Sequence, residues 1–251
     1  MKVLVLDLEV SPTIATVWAL WNVNIGINQL LGNSEVLCWA ASWADSDEVM
    51  FSSNYETTHR RMITAIHKLL DEADAVVTYN GDSFDLKVLN KEFALLGLSP
   101  PSPYKSIDLY KVVKKKFRFT SNKLDYVVQQ FGLGKKEKHQ GHELWLNVMN
   151  KKSSEYDSSW ATMKSYNIQD VVITEKLYHR IRGWIHNHPS YAVFNDDHCC
   201  PNCGGKNLQK RGFFLTAALR YQRYQCKDCG KWSRGKHAVE SDKQNQLVGV
   251  N

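Results

Sequence analysis

No run of apolar residues in this 251-residue chain approaches the ~20 residues that a helix needs to cross a bilayer, so we expect no transmembrane helix. The N-terminal segment MKVLVLDLEVSP has one lysine and no small-residue cleavage site, and two acids interrupt its apolar run, which is unlike a signal peptide. We therefore expect a cytoplasmic protein. Internal repeats and low-complexity segments are also absent, and 43% hydrophobic residues exclude a disordered or collagen-like chain.

Cysteine is nearly absent from the first three quarters of the chain, where only Cys38 occurs. The other five are clustered, and in a cytosolic chain such clusters bind metal more often than they form disulfides. Two C-x₂-C pairs, each followed by a glycine that suits a tight turn, predict a structural zinc site with no open position. Its four ligands would be Cys200, Cys203, Cys226 and Cys229. His198 and Cys199 are the alternative ligands at the first pair.

Acidic residues are scarce in two segments, although the net charge of the whole chain is only +6. Residues 198–236 contain nine lysines and arginines against one acid, Asp228. Residues 111–138 contain nine against two, Asp125 and Glu137. Two basic segments favour a polyanionic partner, most simply nucleic acid, and the alternative is a solvated surface.

Hydrophobic periodicity predicts an α/β domain with a mixed sheet, followed by the cysteine-rich module. We predict strands over 2–10, 13–20, 35–43, 49–52 and 73–80, and helices over 58–73, 84–97, 108–117, 123–131 and 159–185. The larger domain is expected to cover residues 1–190, the module 196–237, and a flexible tail 238–251.

Two acids interrupt the first predicted strand. Because side chains alternate along a strand, Asp7 and Glu9 point to the same face, together with Val3 and Val5. Adjacent carboxylates repel each other and are costly to bury, and a divalent cation between them would remove this penalty. The alternative is that the end of the strand reaches solvent.

Two further acids lie where a ligand could be expected. Asp85 follows Asn80-Gly81 at the start of a predicted helix, where Asp82 or Ser83 would be the N-cap; the alternative is an acid favoured by the helix dipole. Tyr166 and Asp170 lie four residues apart on one face of the last helix, together with Met163 and Ile173 or Thr174. The alternative there is a surface aspartate beside a core tyrosine.

The order of these motifs, D-x-E, then N-G-x-x-x-D, then Y-x-x-x-D, resembles the DEDD superfamily of 3′–5′ exonucleases, which have the ribonuclease-H-like fold. The resemblance covers residues 1–185. Ser165 stands where the histidine type has its histidine, and Tyr166 matches the tyrosine type, DEDDy. The segments NKLDYVVQQFGLGKK and HELW are similar to phage-encoded members, which would act in the host cytoplasm.

This resemblance implies a site for two Mg²⁺ or Mn²⁺ ions. Asp7 would bridge both ions, Glu9 and Asp170 would complete the first site, and Asp85 would hold the second ion, directly or through water. Tyr166 would orient the attacking water. Hard divalent cations select carboxylate oxygens, which agrees with four acids and no cysteine in the set.

The cysteine-rich module resembles zinc ribbons of transposases and other DNA-handling proteins. In this module basic residues alternate with aromatic ones, which suits binding to phosphates and stacking on bases; the alternative is that the aromatic rings form the small core of the module. His139 and His142 are interpreted as part of a substrate-facing loop rather than a metal pair. The residues that we predict to contact the substrate are Asn80, Lys123, His139, Arg211, Arg223 and Lys231.

The sequence thus predicts a ribonuclease-H-like mixed sheet flanked by helices, with a small C-terminal zinc ribbon. The expected activity is metal-dependent 3′–5′ exonuclease cleavage of DNA, at single strands or frayed ends. Three alternatives remain open: an RNA exonuclease, a structure-specific nuclease, and a non-catalytic zinc-ribbon adaptor that binds DNA. Nucleic acid, DNA rather than RNA, is the expected partner, and replication or recombination proteins are candidate partners; no membrane association is expected.

Overall fold

The computed structural model describes residues 1–44, 46–135, 141–195 and 198–239. They form two compact units, one over Lys2–Leu177 and the other from Tyr178 onwards, together with Met1. The first part of the chain contains β1 (Val3–Val10), β2 (Ile14–Ala15), β3 (Leu30–Gly32), β4 (Val36–Trp43), β5 (Val49–Ser53), α1 (His59–Glu72), β6 (Ala75–Thr78), α2 (Asp85–Leu95), β7 (Lys105–Asp108), α3 (Leu109–Lys116), α4 (Leu124–Gln130) and α5 (His142–Met149). Then follow α6 (Tyr156–Ile181), β8 (Leu208–Leu215), β9 (Arg220–Cys226) and β10 (Trp232–Arg234).

The first unit is built on a five-stranded mixed sheet with the strand order β5-β4-β1-β6-β7. The strand β1 is antiparallel to β4 and parallel to β6, and β7 is parallel to β6. β1 is therefore the central strand, and its apolar residues are buried on both faces. Its carboxyl end carries Asp7 and Glu9, so these acids project from the middle of the sheet.

Helices cover both faces of this sheet. On one face, the amphipathic helix α1, capped by the Thr58 side chain, contributes Met62 and Ile66 to a core with Leu4 and Leu6 of β1. On the other face, residues of α5 and α6 pack against β4 in a second core of Leu37, Cys38, Leu144, Val148, Trp160 and Met163. The predicted alternation along β1 is correct, because its leucines join the first core and Asp7 and Glu9 belong to the opposite face.

Several predicted boundaries are wrong. The predicted strand 13–20 is reduced to the two residues of β2, because only these pair with β3 and the following residues are exposed. The edge strand β7 and helix α5 were not predicted. The short, polar sequence of β7 has no apolar alternation that would reveal it.

The helix α2 also begins differently from the prediction. Its N-cap is Phe84, with no side-chain cap, rather than Asp82 or Ser83. Asp82 is unavailable as a cap because its carboxylate accepts hydrogen bonds from Ser106 and from Lys111, the latter at 2.7 Å.

The second unit contains a three-stranded antiparallel sheet with the strand order β10-β9-β8. The unit begins inside α6 rather than near residue 190, because the end of that helix contacts the segment that precedes the cysteines. The Tyr178 hydroxyl lies 2.7 Å from His188 Nε2, and Arg182 donates a 2.7 Å hydrogen bond to the Tyr191 hydroxyl. Most of the predicted tail lies outside the described residues, as do residues 136–140. Within the described ranges, no helix combines the length and the apolar character that a membrane span requires.

Candidate functional site

Three carboxylates from distant parts of the sequence meet beside β1. Asp7, Glu9 and Asp170 each contribute an oxygen atom, and these oxygens all lie within 4.8 Å of one another. Glu9 and Asp170 are buried, the latter with only 2% of its surface exposed. Buried carboxylates at this separation repel each other strongly unless a positive charge is present. The oxygen-only donor set fits a hard divalent cation such as Mg²⁺ or Mn²⁺.

Asp85 is the fourth predicted acid, and it approaches β1 from the helix α2. It lies in the first turn of α2, as predicted, and its Oδ1 accepts a 3.2 Å hydrogen bond from the backbone N–H of Leu8. The group within 4.8 Å does not include it. Burial raises the pKa of Asp85 to about 6, and the charge of Asp108 adds to this effect. The contact with Leu8 fixes this carboxylate next to the residue that follows Asp7.

The Asn80-Gly81 turn explains how Asp85 reaches β1. Asn80 adopts a left-handed backbone conformation with φ of 72°, and its N–H donates to Asp108 Oδ1 at 2.9 Å. A Cβ atom at position 81 would overlap the Thr78 side chain, so only glycine fits there. The chain therefore reverses tightly at the end of β6, and α2 begins at the same edge of the sheet as the carboxylates.

Sequence analysis missed Asn167, which contacts the carboxylate group directly. Its Nδ2 donates a 2.8 Å hydrogen bond to Asp7 Oδ2, and its side chain is fully buried. Asn167 lies three residues before Asp170, hence on the same face of α6. That spacing was the only signal in the sequence that could have identified it. The hydrogen bond holds the Asp7 carboxylate in one orientation.

Cys38 lies opposite Glu9 in the register of β4 and β1. Burial raises the pKa of the Cys38 thiol well above its usual value, and the charges of Glu9 and Asp7 raise it further. This cysteine is therefore a neutral, buried neighbour of the carboxylates.

Tyr166 lies one turn before Asp170 and is half-buried. Its ring makes an edge-to-face contact with Trp145 of α5, at 6.4 Å between centroids. Trp145 also lines a cleft of about 310 Å³ with Phe84 and His142. His142, predicted in a loop, is the first residue of α5. His139 lies outside the described residues.

Two of the predicted substrate-binding residues line one cleft. Asn80 and Lys123 border a cavity of about 590 Å³, together with Tyr79 and Tyr110. The Tyr79 hydroxyl donates to the Asn122 carbonyl, which joins the loop before α4 to the end of β6. The structure thus brings together two residues that lie far apart in the sequence.

The four predicted zinc ligands also converge. The sulfur atoms of Cys200, Cys203, Cys226 and Cys229 all lie within 4.8 Å of one another. Gly204 and Gly230 have φ of 74° and 73°, so each C-x₂-C turn uses its glycine as predicted. The backbone N–H groups of Asn202 and Gly205 each donate to a cysteine sulfur at 3.4 Å, which favours a thiolate.

This sulfur group fits a tetrahedral Zn²⁺ site. Hydrogen bonding with Cys200 lowers the pKa of the Cys229 thiol, which favours the thiolate form that binds zinc. Among the described residues, the alternative ligands His198 and Cys199 are not members of the group. The His198 ring instead contacts Tyr224, at 5.3 Å between centroids.

One face of the second sheet carries alternating arginines and aromatic rings. The guanidinium groups of Arg211 and Arg223 lie 6.0 and 4.9 Å from the centre of the Trp232 ring. Arg234 lies 4.0 Å from the centre of the Tyr221 ring. Lys231, also predicted to bind substrate, has its ammonium group 2.6 Å from the Ile185 carbonyl, so it supports the fold of this unit.

Comparison with known proteins agrees with the fold. Residues 29–182 match the family RNase_H_2, of the RNase_H superfamily, and this match begins after β1 with its two acids. The family B DNA polymerase from the hyperthermophilic archaeon Pyrobaculum calidifontis has a similar fold, with a TM-score of 0.56 and 19% sequence identity. The likeness covers 72% of this chain and 24% of the polymerase chain. No curated protein matches. The predicted ribonuclease-H-like mixed sheet is confirmed, and the chain belongs to the RNase_H superfamily.

Proposed function

We propose that this protein is a metal-dependent 3′–5′ exonuclease of the DEDDy type that hydrolyses DNA, with single strands or frayed ends as preferred substrates. The observation that carries the proposal is the convergence of Asp7, Glu9 and Asp170 oxygens within 4.8 Å on a ribonuclease-H-like sheet. Membership of the RNase_H superfamily supports nuclease chemistry.

The carboxylates would hold two Mg²⁺ or Mn²⁺ ions. Asp7, Glu9 and Asp170 would be the ligands of the first ion, and Asp7 and Asp85 those of the second. When bound, such ions supply an activated water and stabilise the leaving 3′ oxygen of a phosphodiester. Asn167 keeps Asp7 oriented through its 2.8 Å hydrogen bond, and Tyr166 is placed one turn from Asp170 to position the water.

Two surfaces are proposed to hold the nucleic acid. Lys123 and Asn80 contact the backbone of the strand in the cleft that they line. In the second unit, Arg211 and Arg223 neutralise phosphates, and the exposed Trp232 stacks on a base. We assign Lys231 to stabilising its own unit instead of binding substrate, because its ammonium group contacts the Ile185 carbonyl.

A time course on oligonucleotides labelled at the 5′ or the 3′ end, with Mg²⁺, Mn²⁺ or EDTA, tests this proposal. We expect mononucleotides released from the 3′ end, and no cleavage in EDTA. Asp7→Asn should abolish cleavage, whereas the matched control Asp47→Asn, at an exposed acid, should cleave like the wild type. Equal activity of Asp7→Asn and wild type would refute the proposal.

The same assay separates the alternatives. Matched DNA and RNA oligonucleotides distinguish the two exonuclease substrates, and internal fragments would indicate a structure-specific nuclease. The arginine–aromatic face of the second unit favours one further candidate, a non-catalytic DNA-binding adaptor. Binding of DNA without any EDTA-sensitive release of mononucleotides would support the adaptor.

A further inference from the structure

Between β1 and β4 the chain forms a hairpin, residues 11–35. None of the three acids of the carboxylate group belongs to it. Its neck is closed by hydrogen bonds from the Ser11 N–H to the Glu35 carbonyl and from the Glu35 N–H to the Ser11 hydroxyl, both 2.9 Å. Further out, β2 pairs with β3, and the Gln29 amide donates to the Thr16 carbonyl at 3.0 Å. We call this element the tryptophan hairpin. It has a fixed base, and it starts two residues after Glu9.

The tip of the tryptophan hairpin exposes an unusual amount of apolar surface. Trp18 is fully exposed, and Trp21 is 86% exposed. Leu20 and Ile27 are exposed to a similar degree. Trp18 and Trp21 line the same cleft, and exposed apolar groups gathered at one place on a folded protein often mark a binding site. The hairpin is therefore a candidate contact surface.

The chemistry of the hairpin narrows the choice of ligand. Residues 11–34 contain no Asp, Glu, Lys, Arg or His, and Glu35 at the neck is an acid, so the hairpin has no cationic side chain with which to bind a phosphate. The two indoles border a cleft of about 450 Å³ that is otherwise rich in amide side chains: Asn22, Asn24, Asn28 and Gln29. Amides both donate and accept hydrogen bonds, and indole faces stack on flat rings. Flat, uncharged groups with polar edges, such as nucleobases, match this combination.

We propose that the tryptophan hairpin binds unpaired bases of a single-stranded nucleic acid by stacking on Trp18 and Trp21. This inference rests on the proposed function, because it assigns the bases beside the cleaved phosphodiester to the hairpin that follows β1. In this arrangement the carboxylate group, through its metal ions, and the basic residues contact the phosphates of the strand, and the hairpin contacts its bases. Sequence-independent stacking of this kind suits a nuclease that must accept every base.

The test compares two single strands of about 12 nucleotides, oligothymidylate and an abasic strand with the same phosphates, bound by the full chain in EDTA. Trp18→Ala/Trp21→Ala should lose about tenfold or more in affinity for oligothymidylate and keep its affinity for the abasic strand. Trp18→Phe/Trp21→Phe should recover most of the loss, because phenylalanine still stacks. Leu95→Ser, which changes an exposed leucine of α2 outside the hairpin, is the control and should bind both strands like the wild type.

Three results would overturn the inference. One is unchanged oligothymidylate binding by the alanine variant, and the second is an equal loss for both strands. The third is a wild-type dimer in light scattering that Leu20→Ser/Ile27→Ser abolishes, which would make the hairpin a surface for a second copy of the chain. The binding assay needs no cleavage. A chain that binds bases through Trp18 and Trp21 but never cleaves DNA would therefore contradict the proposed function and leave this inference intact.

Discussion

The two candidate metal sites are assembled in opposite ways. The zinc site uses two short turns, Cys200–Cys203 and Cys226–Cys229, and each turn supplies two ligands through local backbone geometry. The carboxylate group uses two residues of the strand β1 and one residue of the distant helix α6, and only the fold of the sheet brings Asp7 and Asp170 together. Four sulfurs close the first site to other ligands, and an all-oxygen set suits ions that also bind substrate.

Because local turns supply all four sulfurs, we predict that loss of zinc unfolds the second unit, and this is the largest effect that we expect. Cys226→Ser should lose the bound Zn²⁺ and unfold the residues around it, because structural zinc contributes about 10 kcal/mol or more to folding. Zinc content and limited proteolysis of the full chain measure this effect. Cys199→Ser is the matched control: it changes a buried cysteine outside the sulfur group and should retain one zinc per chain. Loss of zinc in Cys199→Ser and its retention in Cys226→Ser would contradict the assignment.

The carboxylate group should depend on Asn167, whose side chain holds the Asp7 carboxylate in one orientation. Asn167→Leu removes the hydrogen bond to Asp7, and we expect activity and Mn²⁺ affinity to fall by about 10–100-fold, the usual effect of losing a ligand-orienting contact. Saturating Mn²⁺ should restore part of the rate, since the ligands themselves remain. A purely structural role would instead lower the melting temperature without changing the Mn²⁺ dependence. Asn150→Leu, on an exposed asparagine, is the control.

Asp85 gives the carboxylate group a pH dependence of folding stability that can be measured. Its pKa of about 6 lies above the ordinary value of 3.8, so the folded protein binds this proton more tightly than the unfolded chain. The contribution of Asp85 to the free energy of unfolding in EDTA should therefore fall as pH rises from about 4 to 6, and the full cost of its ionised carboxylate is present above that range.

Asp85→Asn removes this charge and keeps an acceptor for the Leu8 N–H. We expect the variant to be more stable than the wild type at pH 8 in EDTA, by about 1–3 kcal/mol, and to lose activity. Urea unfolding at pH 8 and at pH 4 measures the difference, which should disappear at the lower pH. A variant that is less stable than the wild type at pH 8 would contradict this account of Asp85.

The smallest expected effect concerns the arginine–aromatic face of the second unit. Arg223→Ala should weaken single-stranded DNA binding evenly across sequences and reduce the slope of log affinity against log salt by about 1, as expected for one lost phosphate contact. Fluorescence anisotropy over a salt series measures the slope. Lys231→Ala should leave the slope unchanged if its ammonium group serves only the Ile185 carbonyl. An unchanged slope for Arg223→Ala and a reduced slope for Lys231→Ala would contradict the proposal and assign the phosphate contact to Lys231.

The same contrast explains what could be predicted from sequence. The four cysteines that converge were identifiable from spacing alone, because the two cysteines of each C-x₂-C turn are close in sequence. The alternation along β1 correctly predicted that Asp7 and Glu9 share a face, and the periodicity of α6 placed Asp170 among buried neighbours. Asn167 was missed because a hydrogen bond to Asp7 is a tertiary contact with no local pattern.

Residues 13–20 of the tryptophan hairpin were wrongly predicted to be a strand, and the reason is again a missing tertiary contact. The hairpin's apolar residues look like a buried segment, and periodicity does not reveal whether another part of the chain covers them. In the structure only Ile14–Ala15 pair as β2, and Trp18 remains in water. Hydropathy alone predicts that such an uncharged, apolar segment is buried in the core. Its exposure in the structure is what indicates a function.

The most direct test of the central claim is the anomalous scattering of a crystal grown with Mn²⁺. We predict manganese bound by the oxygens of Asp7, Glu9 and Asp170, with a second ion between Asp7 and Asp85. Manganese found only at other positions, with these three carboxylates free of metal, would contradict the account.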